Sequence, residues 1–160
     1  MKKYDVQKFE LLSNEQIADG IFDMRVKNDE LAPLAKCGQF AHVYVPSKTL
    51  RRPISVCDSE NGVLRLVYQV KGEGTKIMSE MKKGESVDIL APLGNGFKIE
   101  KGKRYCLIGG GVWVHPSVYA CLRCSTQQSS VKIRLLSQAS ETKTLSFYRT
   151  ISRKPVQSLC

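Results

Sequence analysis

NGVLRLVYQVKGEGTK, residues 61–76, places a turn, a strand and a helix start in one short run. Asn61-Gly62 is a dipeptide that accepts the left-handed backbone of a tight β-hairpin. Residues 62–70 then alternate apolar and polar side chains with period two, which marks a half-buried strand. Gly72-Glu73-Gly74-Thr75 interrupts the alternation, and 75–81 reads as a helix with Ile77, Met78 and Met81 on its inner side. Glycines at such a point let the backbone approach a ligand closely, and a helix N-terminus turns its N–H groups toward an anion. Taken alone, the same residues also describe a loop capped by a threonine.

Working outward, the same alternation recurs at 4–11, 20–26 and 39–45, and 86–90 adds a strand that ends at Ala91-Pro92-Leu93-Gly94. Short strands punctuated by turns predict a small antiparallel β-barrel. A second piece opens at Arg104. It reads as a short buried strand over 104–108, the run Gly109-Gly110-Gly111, a helix over 116–122 and a strand over 131–136. The expected organisation is a barrel over 1–100, followed over 101–160 by the start of an α/β domain.

A chain of 160 residues with 42% hydrophobic residues can bury one full core and a fragment of a second. No stretch approaches the ~20 apolar residues of a membrane span. Met1-Lys2-Lys3-Tyr4-Asp5 does not open a signal peptide, so a cytoplasmic location is expected. Cys37, Cys57 and Cys106 lie beside apolar runs and read as small buried hydrophobes. Cys121 and Cys124 form a C-x-x-C without a second pair, so no metal site is expected. The net charge of +10 suggests nucleic acid, but 7 of the 25 Lys/Arg and only 1 of the 15 Asp/Glu fall in residues 113–160. That excess is scattered among Ser, Thr and Gln without an aromatic platform, which argues against nucleic acid as a partner. A non-catalytic basic binding module is the alternative from another functional class.

Arg51-Arg52-Pro53-Ile54-Ser55 supplies an extended proline, a planar guanidinium suited to phosphate and a short hydroxyl donor. By itself it is also what a solvated basic turn before a strand looks like. Its order and spacing relative to Gly74-Thr75 and Pro92-Leu93-Gly94-Asn95-Gly96-Phe97 are more specific. Arg52-Pro53-Ile54-Ser55 resembles the Arg-x-Tyr/x-Ser flavin motif of the ferredoxin–NADP reductase superfamily. Gly74-Thr75 is similar to its pyrophosphate-contacting Gly-Thr, and 92–97 to its Gly-Pro-Leu-Gly-x-x-Phe segment. The wording of these motifs and of Val67-Tyr68-Gln69 is most similar to the electron-transfer subunits of NAD-dependent dihydroorotate dehydrogenases, over about residues 4–111.

The resemblance implies a six-stranded ferredoxin reductase-like barrel that holds FAD against a nucleotide-binding domain. It implies Arg52 on the FAD phosphates, and Ser55 with the Pro53 and Ile54 backbone near the isoalloxazine ring. Val67, Tyr68 and Gln69 would line the flavin or ribityl chain, and Gly74 with Thr75 would hold the pyrophosphate. Tyr68, an aromatic in an alternating strand, also reads as core. The partner implied is the dihydroorotate dehydrogenase catalytic subunit, with electrons passing through a [2Fe–2S] cluster and FAD toward NAD in pyrimidine biosynthesis. A flavoprotein subunit of sulfide dehydrogenase or glutamate synthase type is the alternative within the superfamily.

The match breaks after residue 111. Gly109-Gly110-Gly111 begins a nucleotide site, but Trp113 stands where the family places a further glycine for the NAD phosphates. Cys121, Cys124 and Cys160 do not reproduce the family's four-cysteine cluster. All 12 glycines lie at or before Gly111 and no aspartate follows Asp88, so the tail lacks the turn chemistry of an α/β domain. A change of reading frame near residue 112 would account for this, and the nucleotide sequence would decide it against a naturally shortened homologue. The second domain is therefore expected to be incomplete with a disordered tail, FAD binding to be at most weakened, and the [2Fe–2S] centre and most NAD reduction to be lost.

Overall fold

Six strands close into a barrel in the order β1-β2-β5-β4-β3-β6, every neighbouring pair antiparallel. They are β1 (Asp5–Ala18), β2 (Ile21–Lys27), β3 (Phe40–Val43), β4 (Arg52–Glu60), β5 (Val63–Gln69) and β6 (Ser86–Leu93). The computed structural model describes residues 4–36, 38–98, 104–110, 132–138 and 149–150. A 3₁₀ turn, Ala32–Leu34, leads into β3, and one helix, α1 (Glu73–Glu80), joins β5 to β6. Among the described residues no helix is long and apolar enough to cross a membrane.

The period-two pattern fills the barrel. Phe9 and Leu11, Met24 and Val26, Ala41 and Val43, Ile54 and Val56, Leu64 and Leu66, and Val87 and Ile89 each point inward from one strand, and all belong to a single core. Burial of a Val, Leu or Phe side chain contributes about 1.5–3 kcal/mol, so these pairs dominate the barrel's stability. The β4–β5 hairpin turns at Asn61 (φ 51°) and Gly62 (φ 75°), both left-handed as the sequence predicts. A Cβ on Gly62 would run into the Asp29 carboxylate.

Three elements differ from expectation. β1 continues to Ala18, well past residue 11. Its first part pairs with β6 and its second with β2, with a register shift between Leu11 and Ser13. Such a bulge breaks the alternation, and residues 15–18 are exposed, so no burial pattern signals the extension. Arg52-Pro53-Ile54-Ser55 lies inside β4 and not in a turn before it. α1 starts at Glu73, two residues earlier than expected, with Met78 buried and Ile77 and Met81 packed against the core.

β7 (Arg104–Gly110) and β8 (Lys132–Gln138) form a parallel pair, and β9 (Arg149–Thr150) lies antiparallel to β8. A parallel pair is the arrangement that an α/β unit requires. Gly109 and Gly110 continue the strand, paired with Ser137 and Gln138, where the sequence suggested the turn had begun. A glycine carries no side-chain signal for or against a strand, so only the ladder reveals it. Cys37, Gly111, Trp113, Cys121, Cys124, Cys160 and the helix expected over 116–122 lie outside the described residues.

Candidate functional site

The β4–β5 ladder runs from Glu60↔Val63 to Val56↔Leu66 and ends there. Beyond that point residues 52–55 pair only with β3, through Phe40↔Ser55, Ala41↔Ile54, His42↔Pro53 and Val43↔Arg52. Residues 67–69 pair only with β2, through Asp23↔Val67, Phe22↔Tyr68 and Ile21↔Gln69. The register shift falls between Val56 and Asp58, where Cys57 is the extra residue. Two segments singled out from the sequence thus face each other across an opened seam in the barrel wall. Backbone groups along such a seam lack ladder partners; the Ser55 carbonyl accepts instead from Cys57 Sγ (3.9 Å), and the Val67 amide faces the same thiol.

Arg52 starts β4 at the end of this seam, and its guanidinium lies directly on Gly74 in the first turn of α1. A Cβ on Gly74 would stand 2.8 Å from Arg52 Cζ and Nη2, and closer still to Nε. Only glycine leaves Arg52 in that place. The N-cap of α1 is Gly72, extended at φ −157° and ψ 178°, which has no side chain to accept from the first helical amides. Thr75 Oγ1 instead accepts from Lys71 N–H (3.0 Å) and Gly72 N–H (3.2 Å) and donates to the Gly72 carbonyl (3.0 Å). Its hydroxyl fixes the loop, so what Thr75 offers an anion is its amide. A guanidinium beside a helix N-terminus without a side-chain cap is an arrangement that suits an anion.

The remaining predicted residues divide by face. The Ile54 side chain is part of the core, so its backbone is what faces outward, while Pro53 is exposed and Ser55 half-buried. Val67 is buried although it alternates with the inward Leu66 and Tyr68, and Gln69 is exposed. The Tyr68 ring is inside the barrel, stacked on Phe22 with centroids 5.7 Å apart, and its hydroxyl donates to Asn14 Oδ1 (3.0 Å). Burial pushes that phenol up to about 12. Tyr68 therefore meets the seam through its backbone. Gly109 and Gly110 belong to β7, where they pair with Ser137 and Gln138.

The third motif closes β6 next to the same region. Phe40 pairs with both Ser55 and Leu93, Gln39 Nε2 donates to the Gly94 carbonyl (2.8 Å), and a Cβ on Gly94 would stand 2.8 Å from the Phe40 ring. Three further residues support the site: Asn14 and Asp23, which were not singled out from the sequence, and Cys57, which was read there only as a buried hydrophobe. Asn14 Nδ2 donates to the carbonyls of Met78 (2.8 Å) and Met81 (3.2 Å), tying α1 to β1. Asp23, buried beside Val67, accepts from Arg65 Nε at 2.9 Å and lies 2.8 Å from its Nη2. Cys57 is buried, and its thiol is pushed up to about 11, chiefly by that burial. Only the adjacent apolar pair Val56-Cys57, out of step with the alternation, hinted at the bulge.

Two curated proteins share this sequence pattern. The electron transfer subunit of dihydroorotate dehydrogenase B (NAD(+)) from Caldanaerobacter subterraneus subsp. tengcongensis is 40% identical over 122 residues, covering 76% of this chain and 49% of the relative. That of Streptococcus mutans serotype c is 43% identical over 113 residues, covering 66% and 43%. The chain is a homologue of these electron transfer subunits. Like its solved neighbours, it is built on a ferredoxin reductase-like barrel. An NADH-dependent reduced ferredoxin–NADP oxidoreductase superposes with a TM-score of 0.74 at 27% identity, covering 85% of this chain and 50% of the other. Phthalate dioxygenase reductase, at 19% identity over 85% and 44% of the two chains with a TM-score of 0.73, shares the fold. No family model matches the chain. The chain spans about half the length of the electron transfer subunits it matches.

Proposed function

We propose that the barrel, residues 1–100, binds FAD along the seam between β4 and β5, and that the chain acts as the flavoprotein partner of a dihydroorotate-oxidising catalytic subunit in the cytoplasm. The observation that carries this reading is the Arg52 guanidinium seated on Gly74 at the start of α1. The diphosphate is the part of FAD that such a pairing fits, with Arg52 as the fork and the amides of Gly74 and Thr75 as the cradle. From there the seam runs past Pro53, Ser55, Val67 and Gln69, whose backbone and short side chains can orient a planar ring system without filling its space. Bound there, FAD would supply the electron-transfer chemistry, and the protein's part is to fix and tune it.

Residues 101–160 are read as the start of the nucleotide-binding domain. With Trp113 where a further glycine would follow Gly109-Gly110-Gly111, little NAD reduction is expected from these residues. Titration of the purified chain with FAD, followed by flavin absorbance and fluorescence, tests the reading. Saturable binding is expected, and Arg52→Ala should weaken it by about tenfold or more, the cost of a lost charge-assisted hydrogen bond. A chain that retains no flavin once free FAD is removed would refute the proposal.

A further inference from the structure

Beside the proposed diphosphate site lies an ion pair that the flavin reading does not use. Lys48, in the turn between β3 and β4, is hydrogen-bonded through Nζ to Glu73 Oε2. Glu73 is the first residue of α1, immediately before the Gly74 on which Arg52 lies. The two partners are unequally placed: the Lys48 side chain is 27% exposed and that of Glu73 82%. Lys48 is thus laid along the protein with its ammonium delivered to the start of the helix, while the carboxylate stands out in solvent. The turn that delivers it is set by Ser47 at φ 61° and by Lys48 N–H donating to the Val45 carbonyl (3.1 Å).

Three elements therefore bring positive charge to one point: the β3–β4 turn with Lys48, the start of β4 with Arg52, and the N-terminus of α1. The Glu73 carboxylate, which also feels Lys76, answers them. A carboxylate in the first turn of a helix interacts favourably with the helix dipole, and Lys48 holds the Glu73 carboxyl below its ordinary range. We infer that Glu73 is a built-in anion that competes with the flavin diphosphate for Lys48, and that Lys48 is a second phosphate-binding cation at this site. An ammonium on a four-carbon stem can leave a carboxylate oxygen for a nearby phosphate oxygen by side-chain rotation alone. The diphosphate then gains a cation, and Glu73 remains as a like charge at its border. The inference rests on the flavin-diphosphate reading and adds to it a residue on each side of the balance.

Opposite signs are the signature of this arrangement. Affinities for FAD, and for ADP as a probe without the isoalloxazine ring, are measured in the wild-type chain, Glu73→Gln and Lys48→Met. Glu73→Gln should tighten both by about two- to fivefold and Lys48→Met should weaken both by a similar factor, the scale of an exposed charge pair. Both effects should shrink as salt is raised from 0.05 to about 0.5 M, because the groups are largely exposed. If the pair were only a brace for the turn, both variants would weaken binding and lower the melting temperature alike. That result would overturn the inference and leave the flavin reading standing, provided that Arg52→Ala still weakens FAD binding by about tenfold or more. Failure of the wild-type chain to bind either FAD or ADP would overturn both.

Discussion

Gly74 separates fold from site more cleanly than any other residue here. It sits in a helix, where alanine is preferred over glycine by about 1 kcal/mol, yet its missing Cβ is where the Arg52 guanidinium lies. Gly74→Ala should therefore leave the melting temperature unchanged or raise it, since the displaced atoms are the far end of a flexible side chain. Flavin affinity should fall by about tenfold or more as Arg52 loses its seat. Calorimetry beside a fluorescence titration checks both halves, and an affinity equal to wild type would remove Arg52 from the site. That Arg52 and Gly74 come together was legible in the sequence through the order and spacing of their two motifs. Asn14 and Asp23 were not, because their roles come from register; for Cys57 the burial was legible and the bulge was not. Cys57 matters as the extra residue at which β4 and β5 part, and Asp23 because pairing sets it beside Val67. Tyr68 was legible both as core and as flavin lining, and its side chain is core.

At the scale of elements, the site depends on how α1 is held. Asn14 uses both ends of its amide, accepting from Tyr68 and donating to two carbonyls at the end of the helix. Asn14→Ala deletes these bonds and leaves partly buried carbonyls unanswered, at an expected cost of about 1–3 kcal/mol. The melting temperature should fall, and flavin affinity with it, because α1 carries Gly74 to Arg52. Asn14→Asp keeps the acceptor for Tyr68 but loses both donors, so it should resemble the alanine variant in affinity. Unaltered affinity in both would show that α1 is positioned by its apolar face alone. Most strands were readable within a few residues, since one face of each is packed in the barrel. β1, read only to residue 11, and β4 were the exceptions. Arg51-Arg52-Pro53 looks like a turn because proline disrupts a strand paired on both sides, but at Pro53 β4 has a ladder with β3 only. A strand with one neighbour tolerates the missing N–H, so the feature that hid the strand also marks the seam.

For the whole molecule, the closed barrel buries two groups that ionise in alkali. Cys57 has its thiol raised from 9.0 to about 11, mainly by burial and against the opposing effect of the Val67 amide. The Tyr68 phenol is raised from 10.0 to about 12, mainly by burial and against the Asn14 hydrogen bond. Both are held neutral more firmly folded than unfolded, so their contribution to stability is complete below pH 9. Between about pH 9 and 11 the unfolded chain ionises Cys57 while the barrel keeps its proton, and the same holds for Tyr68 between about 10 and 12. Each interval favours unfolding progressively. Lysines titrate in the same range, so the contributions are isolated by difference. Relative to wild type, Cys57→Val should lose less melting temperature between pH 9 and 11, and Tyr68→Phe less between pH 10 and 12. Differences from wild type that stay constant across pH 8–12 would mean that neither proton is held by the barrel. The same experiment bears on the seam. A residue at the split between β4 and β5 can hold its thiol that high only if water is kept from it, so a pH-independent Cys57→Val difference would describe a seam open through to the core.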